Sequence, residues 1–147
     1  MKGMKKINNN INIYFEKKIK TGLNIKKLIE KILEKEKKQH LDINIIFTDN
    51  SKIKQINLEY RNRNYPTDVI SFPVKIKNGL IGGDIYISMD KIKENAKEYK
   101  TGFNKEFLRI IIHGILHILG YDHIKLKDKL KMFRKQENYL KIFYKGN

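Results

Sequence analysis

Cysteine is absent from these 147 residues. That excludes a disulfide framework, a thiolate metal site and a thiol nucleophile, so any metal must be held by nitrogen and oxygen. No stretch approaches the length of a membrane span. The N-terminal Met-Lys-Gly-Met-Lys-Lys-Ile-Asn-Asn-Asn carries basic residues without the apolar core of a signal peptide, so a cytoplasmic protein with no membrane partner is expected. Proline occurs twice, and arginine only at 61, 63, 109 and 134. Acidic residues are scarce: 16 stand against 32 Lys and Arg, a formal net charge of +16.

The acid deficit sits at the two ends. Residues 1–40 hold 12 basic and 4 acidic side chains, residues 41–123 hold 12 and 10, and residues 124–147 hold 8 and 2. Such an excess suits a polyanionic partner. Ile, Lys and Asn are abundant throughout, however, which AT-rich coding also produces, and lysines on amphipathic helices are often only a solvated face.

Three of the four histidines fall within eleven residues, in the run His113-Gly114-Ile115-Leu116-His117-Ile118-Leu119-Gly120-Tyr121-Asp122-His123. Residues four apart on a helix share a face, so His113 and His117 can address one ion. Gly120 suits the left-handed residue that ends a helix, and the turned chain can bring His123 to the same ion. Three protein ligands leave the fourth tetrahedral position open, as in catalytic zinc. The surrounding Ile110, Ile111, Ile112, Ile115, Leu116, Ile118 and Leu119 make this helix apolar nearly all round and hence buried. A buried imidazole needs a partner, and one Zn2+ supplies it.

A chain of this length fits one domain. Residues 1–10, with an Asn triplet and no periodicity, are expected to be a disordered tail, and residues 11–147 the single domain. Ile11, Ile13 and Phe15 alternate with polar residues, as a strand requires. Leu23, Leu28, Ile32 and Leu33 mark a helix to about residue 37, and Ile43, Ile45 and Phe47 a second strand. Thr48-Asp49-Asn50-Ser51 has helix N-cap chemistry for a helix through Tyr60. Pro66 and Pro73 bracket a strand over Thr67-Asp68-Val69-Ile70-Ser71-Phe72, placed near a sheet edge. Lys77-Asn78-Gly79 signals a turn into a strand from Leu80 to Ile87, in which Gly82-Gly83 permits a bulge or a close backbone approach. Ser88 caps a helix to about Tyr99, Asn104 is a candidate cap for the histidine helix through Leu119, and a last helix spans Leu126 to Phe143. Its apolar positions include Leu130, Phe133, Tyr139 and Leu140. The order is α+β: about four strands in a mixed sheet, with helices gathered on one side around a central buried histidine helix.

The spacing of the three histidines is that of the metzincin zinc peptidases. Those enzymes place a Glu after the first histidine as general base, and here that position is Gly114. Glycine accepts no proton, so a peptidase would have to recruit another carboxylate, Asp122 being nearest in sequence. Met132 could serve as a downstream Met turn, although a lone Met on a helix is more often core. Phosphodiester hydrolysis fits better. Zinc can polarise a phosphoryl oxygen and lower the pKa of water towards about 7, and the developing charge then calls for an arginine. Arg61 and Arg63 stand where a helix end meets a strand, a common place for a site residue, though also for a solvent-exposed cationic pair at a helix C-terminus.

Asn57-Leu58-Glu59-Tyr60-Arg61, the continuation Pro66-Thr67-Asp68-Val69-Ile70-Ser71-Phe72-Pro73, Gly83-Asp84-Ile85-Tyr86-Ile87-Ser88 and the histidine run together resemble the bacterial endoribonuclease YbeY family, over about residues 11–140. The resemblance implies a metal-dependent, single-strand-specific endoribonuclease of ribosomal RNA maturation, acting notably at the small-subunit RNA 3′ end, and of ribosome quality control. It implies an α+β fold and zinc ligands at His113, His117 and His123, with the functionally important arginine at Arg61. Ribosomal RNA, the small subunit and its associated proteins are the implied partners, and a monomer is expected. Asp122 is a candidate to orient a ligand, and Gly83 and Asp84 read as structural. Two other classes remain open: a non-catalytic assembly factor whose zinc pins the helix end, and a metallopeptidase.

Overall fold

The computed structural model describes residues 9–16, 21, 23–76 and 79–144, arranged as a mixed four-stranded sheet with helices on both faces. Strand β1 (Asn10–Phe15) leads through α1 (Ile25–Lys35) to β2 (Asp42–Thr48), which lies parallel to it. Helix α2 (Asn50–Arg61) follows, capped by the Asp49 side chain on Lys52 N at 2.9 Å. The chain then forms an antiparallel hairpin of β3 (Val69–Ile76) and β4 (Gly79–Ser88), with β4 inserted parallel to β2, so that the order across the sheet is β1-β2-β4-β3. Three helices complete the domain: α3 (Met89–Glu98), α4 (Phe103–Ile118) and α5 (Leu126–Phe143).

Alternation along the strands divides the sheet into two faces. Ile11, Ile43, Ile45, Phe47, Ile85 and Ile87 point to one side, where they pack against Ile29, Ile32 and Leu33 of α1 and the apolar circumference of α4. Burial on α4 continues nearly all round, from Phe107 to Ile118, as its composition predicts. Ile70 and the partly buried Phe72 and Tyr86 point the other way and receive Ile53 and Ile56 of α2. The helices are therefore not all on one side. Helix α2 has its own small core, and this sets its C-terminal end and Arg61 at the β3–β4 margin of the sheet.

Elements differ from expectation at three further points. Residues 1–8 of the expected disordered tail lie outside the described residues, as do Lys77 and Asn78 of the expected turn, but Asn10 belongs to β1 and pairs with Asp42. Strand β3 continues through Pro73 to Ile76. It can do so because it is the edge strand, where a missing N–H leaves the ladder intact. Helix α4 starts at Phe103 behind Gly102, not behind Asn104. Phe103 stacks on Phe107 with ring centroids 5.5 Å apart, and burying that ring carries the helix start past the better capping residue. No side chain caps this end. The buried Glu106 in the first turn instead places a carboxylate at the positive pole, held by Thr101 Oγ1 at 2.9 Å.

The glycine pair works as close approach. A Cβ at Gly82 (φ +139°) would stand 1.8 Å from the Asp42 carbonyl oxygen, and one at Gly83 would stand 2.4 Å from that of Phe72. Opposite it, the register slips between Val74 and Lys75. Asp84 accepts from Asn44 Nδ2 at 3.0 Å, and Asn44 Oδ1 accepts from Asn12 Nδ2 at 3.0 Å, so Asp84 ends a polar ladder across three strands.

Candidate metal centre

The site begins with the end of α4. Leu119 closes the helix, Gly120 takes φ +102°, and Tyr121 N–H reaches back to the Leu116 carbonyl at 3.1 Å. A left-handed residue after the last turn reverses the chain, and glycine adopts it without strain. Asp122 then accepts from Ile124 N–H at 3.3 Å and holds the next turn. The result brings His123 over the face that carries His113 and His117. Ring centroids of the three imidazoles lie 4.9 to 5.8 Å apart, and one nitrogen from each lies within 4.8 Å of the others.

The donor set fits zinc. His113 Nδ1–H donates to Gln136 Oε1 over 2.6 Å, and the amide is oriented by its own Nε2 donating to Glu137 Oε2 at 3.1 Å. An amide oxygen can only accept, so the His113 proton is on Nδ1 and Nε2 is the free lone pair. Metal-bound histidines are held in this way, by a partner on the second nitrogen. The chain of contacts continues: Glu137 pairs with Arg109 Nε at 3.1 Å, and Arg109 pairs with the buried Glu106. Arg109, one of the four arginines, is thereby committed to structure. At His117, burial pushes the pKa down to about 4, with His113, His123 and Arg61 adding to the fall and Asp122 opposing it. A group so shifted is a neutral imidazole at neutral pH, the form that binds metal.

Arg61 stands near enough to this cluster for its charge to act on His117. It is the last residue of α2, and Asn62, left-handed at φ 55°, turns the chain away. The buried Asn57 side chain ties that helix end to the following loop by donating to the Tyr65 carbonyl at 2.8 Å. Partial desolvation and the neighbouring Arg63 lower the Arg61 pKa, yet a guanidinium remains charged at any physiological pH. Its field is felt at His117. The three expected histidines thus come together from α4 and the turn after it, and the charge of Arg61 at the end of α2 reaches His117.

Asp122 does not take the orienting role expected of it. Its carboxylate is used by the Ile124 backbone, and the residue that orients His113 is Gln136 on α5. The signal for Gln136 was available: a polar side chain on the helical stripe of Met132, Tyr139 and Leu140 must find a partner when buried. A second group passed unnoticed in sequence. Glu36, just past α1, accepts from Tyr121 Oη at 2.7 Å, from Tyr139 Oη and from Lys135 Nζ at 3.0 Å. These residues are far apart in the chain, and only the fold joins them.

Gly114 faces the sheet. A Cβ there would stand 2.9 Å from Ile85 Cγ2 and 3.3 Å from Val69 Cγ2, and its carbonyl accepts from Ser71 Oγ at 3.2 Å. The residue that a metzincin uses as base is here the contact at which α4 lies against β3 and β4. Among the described residues, no helix is long and apolar enough to cross a membrane.

Comparison with known proteins agrees with this geometry. The family model described as Endoribonuclease YbeY matches residues 7–144. The chain is 42% identical over 134 residues to the endoribonuclease YbeY of Acetivibrio thermocellus, covering 80% of this chain and 83% of that one. It is 41% identical over 138 residues to that of Fusobacterium nucleatum, covering 90% and 81%. The solution structure of TM1509 from Thermotoga maritima aligns with a TM-score of 0.63 at 36% identity, over 89% of this chain and 87% of that one.

Proposed function

This chain belongs to the endoribonuclease YbeY family, and from that premise we propose that it is a zinc-dependent, single-strand-specific endoribonuclease acting on ribosomal RNA, at the small-subunit 3′ end and in ribosome quality control. The observation that carries the zinc-dependent reading is the convergence of His113, His117 and His123, with the charge of Arg61 felt at His117 and no carboxylate in the general-base position. Bound by these imidazoles, one Zn2+ would supply Lewis acidity towards a phosphoryl oxygen. Gln136 keeps the His113 Nε2 lone pair aimed at the cluster. Burial keeps His117 neutral. The Gly120 turn delivers His123. Arg61 presents a permanent cation with bidentate capacity to the phosphate and stabilises the charge that grows on its oxygens during displacement. The ribosomal small subunit and its proteins are the partners this reading implies, with the chain acting as a cytoplasmic monomer.

The peptidase alternative loses ground to the packing at Gly114, where a glutamate would have to displace Ile85 and Val69 before it could serve as base. The test is zinc content of the purified chain, followed by cleavage of ribosomal RNA fragments and a peptide panel, each with and without chelator. RNA should be cut and peptides left intact, with the RNA cleavage chelator-sensitive. His117→Ala should lose zinc and cleavage together. Arg61→Ala should keep zinc while cleavage falls by about 10²- to 10³-fold, the scale for removing one transition-state donor. Full cleavage by the Arg61 variant would remove that residue from the reaction. Cleavage that survives complete metal removal would favour the assembly-factor alternative.

A further inference from the structure

Helix α5 carries a second row of apolar residues that the core does not use. Leu126, Leu130 and Phe133 recur at helical spacing, yet they are 73%, 46% and 58% exposed. The core of this helix is the adjacent stripe of Met132, Gln136, Tyr139 and Leu140. An apolar row left in water beside a satisfied core calls for a ligand. It forms the mouth of a recess of about 300 Å³ whose walls include His113 and His123 of the metal centre and Lys129. The recess is therefore continuous with the candidate reaction site.

We propose that this recess receives one unstacked nucleobase next to the scissile phosphate, stacked on Phe133, with Lys129 on the adjoining backbone; the proposal rests on the RNA-cleaving reading above. Three observations choose a base over other occupants. The volume is at the lower end for a small-ligand site, about 300 Å³, which suits one ring system better than a length of polypeptide. The lining holds one cation, Lys129, and no acid, on a helix start where Lys125, Lys127 and Lys131 stand against Asp128 alone, which suits a polyanion. That charge also opposes a second copy of this chain, because pairing through α5 would bring lysines against lysines. A base is apolar on its faces and joined to a phosphate, and this recess is apolar inside and joined to a phosphate site. Duplex bases are not free to enter, so the recess would also give a physical basis for single-strand preference.

The test uses the full-length chain and a single-stranded RNA oligonucleotide whose cut position is first mapped. Wild type, Phe133→Ala and Phe133→Tyr are each given the intact RNA and the same RNA with the base removed on one side of the cut bond, then on the other. Phe133→Ala should lower kcat/KM on intact RNA by about tenfold or more, the scale of one base–aromatic stack, and Phe133→Tyr should restore it. On RNA lacking the base that fills the recess, wild type and Phe133→Ala should be equal. An equal loss on intact and base-less RNA overturns the proposal, because general damage to the protein gives that pattern. A readout without cleavage accompanies this: 2-aminopurine at the same position should be quenched on binding to wild type and not to Phe133→Ala. Self-association, or sedimentation with phosphatidylglycerol vesicles, that disappears in Phe133→Ala while base removal has no effect would reassign the row to a second copy or a membrane surface and overturn the base. If wild type cuts intact and base-less RNA equally well, the recess is refuted and the nuclease reading stands. If it cuts no RNA, the nuclease reading fails, and quenching of 2-aminopurine moved stepwise through the oligonucleotide alone judges the recess.

Discussion

Gln136 shares a stripe of α5 with Met132, Tyr139 and Leu140, and it is the member that packing cannot satisfy. Its oxygen accepts a hydrogen bond from His113 Nδ1–H and so leaves Nε2 as the nitrogen free for the cluster. Gln136→Ala should weaken zinc binding by about 10- to 100-fold in a chelator competition, the usual cost of removing such a partner, while Gln136→Glu should retain most of it. Equal affinities for wild type and Gln136→Ala would show that the ring needs no orienting. Gly114 supplies the complementary case, where the smallest side chain carries the constraint. With a Cβ only 2.9 Å from Ile85 Cγ2, Gly114→Ala should cost about 1 to 3 kcal/mol in urea unfolding, the range for overpacking a core. A neutral or stabilising Ala would show that α4 can lift off the sheet freely. At this scale the convergence of the three histidines was legible, since i, i+4 spacing and a following glycine are local geometry. The roles of Gln136 and Asp122 were not. Which polar side chain meets a ligand depends on how α5 crosses α4, and no spacing within either segment encodes that crossing.

Among the elements, the turn after α4 must hold its shape if His123 is to stay with His113 and His117. Glu36 does this from outside the site, receiving Tyr121 Oη, Tyr139 Oη and Lys135 Nζ and so tying the end of α1 to the turn and to α5. Burial raises the Glu36 pKa, but the bonds from Tyr139, Tyr121 and Lys135 outweigh it, and the net shift is downward from 4.5. A carboxylate lowered on folding contributes stability above its unfolded pKa, and that contribution is lost as pH falls through the folded value. Unfolding free energy should therefore decline on acidification below about pH 4.5, and decline less steeply in Glu36→Gln. Identical slopes in the two proteins would mean that the clamp carries no linkage. Strands and long helices were the readable elements, because two- and 3.6-residue periods survive in single segments. The last helix was bounded at both ends, Leu126 and Phe143. What failed needed a partner to be seen. The start of α4 is set by Phe103 stacking in the core, α2 lies on the opposite face because Ile70, Phe72 and Tyr86 offer it a second apolar surface, and Leu130 and Phe133 have core-like spacing without a core to meet.

Over the whole molecule, the charge of +16 asks whether lysine is placed for RNA or merely abundant. Among the described residues, lysines of α1 and of α5 stand at different distances from the histidines. The first half of α1 borders a recess with Leu108 and Phe143, so Lys27 and Lys31 stand at the end of α4 remote from its histidines. Lys129, in the first turns of α5, lines the same recess as His113 and His123. Position nine along a helix from Leu108 is His117, about 13 Å away at 1.5 Å per residue, which exceeds the roughly 8 Å screening length at physiological salt. Lys27 and Lys31 are thus largely screened from a phosphate at the metal centre, and Lys129 is not. Each phosphate contact on a single strand contributes about 0.7 to the slope of log K against log salt. Replacing Lys125, Lys129 and Lys131 together by Gln should reduce that slope by up to about 2 for a short RNA bound at the site. The same replacement at Lys26, Lys27 and Lys31 should leave it within error, although the net charge changes equally. Titrations of one labelled RNA at several salt concentrations would decide it: equal reductions in the two triple variants would make the basic surface a diffuse field, with composition and not placement as its origin.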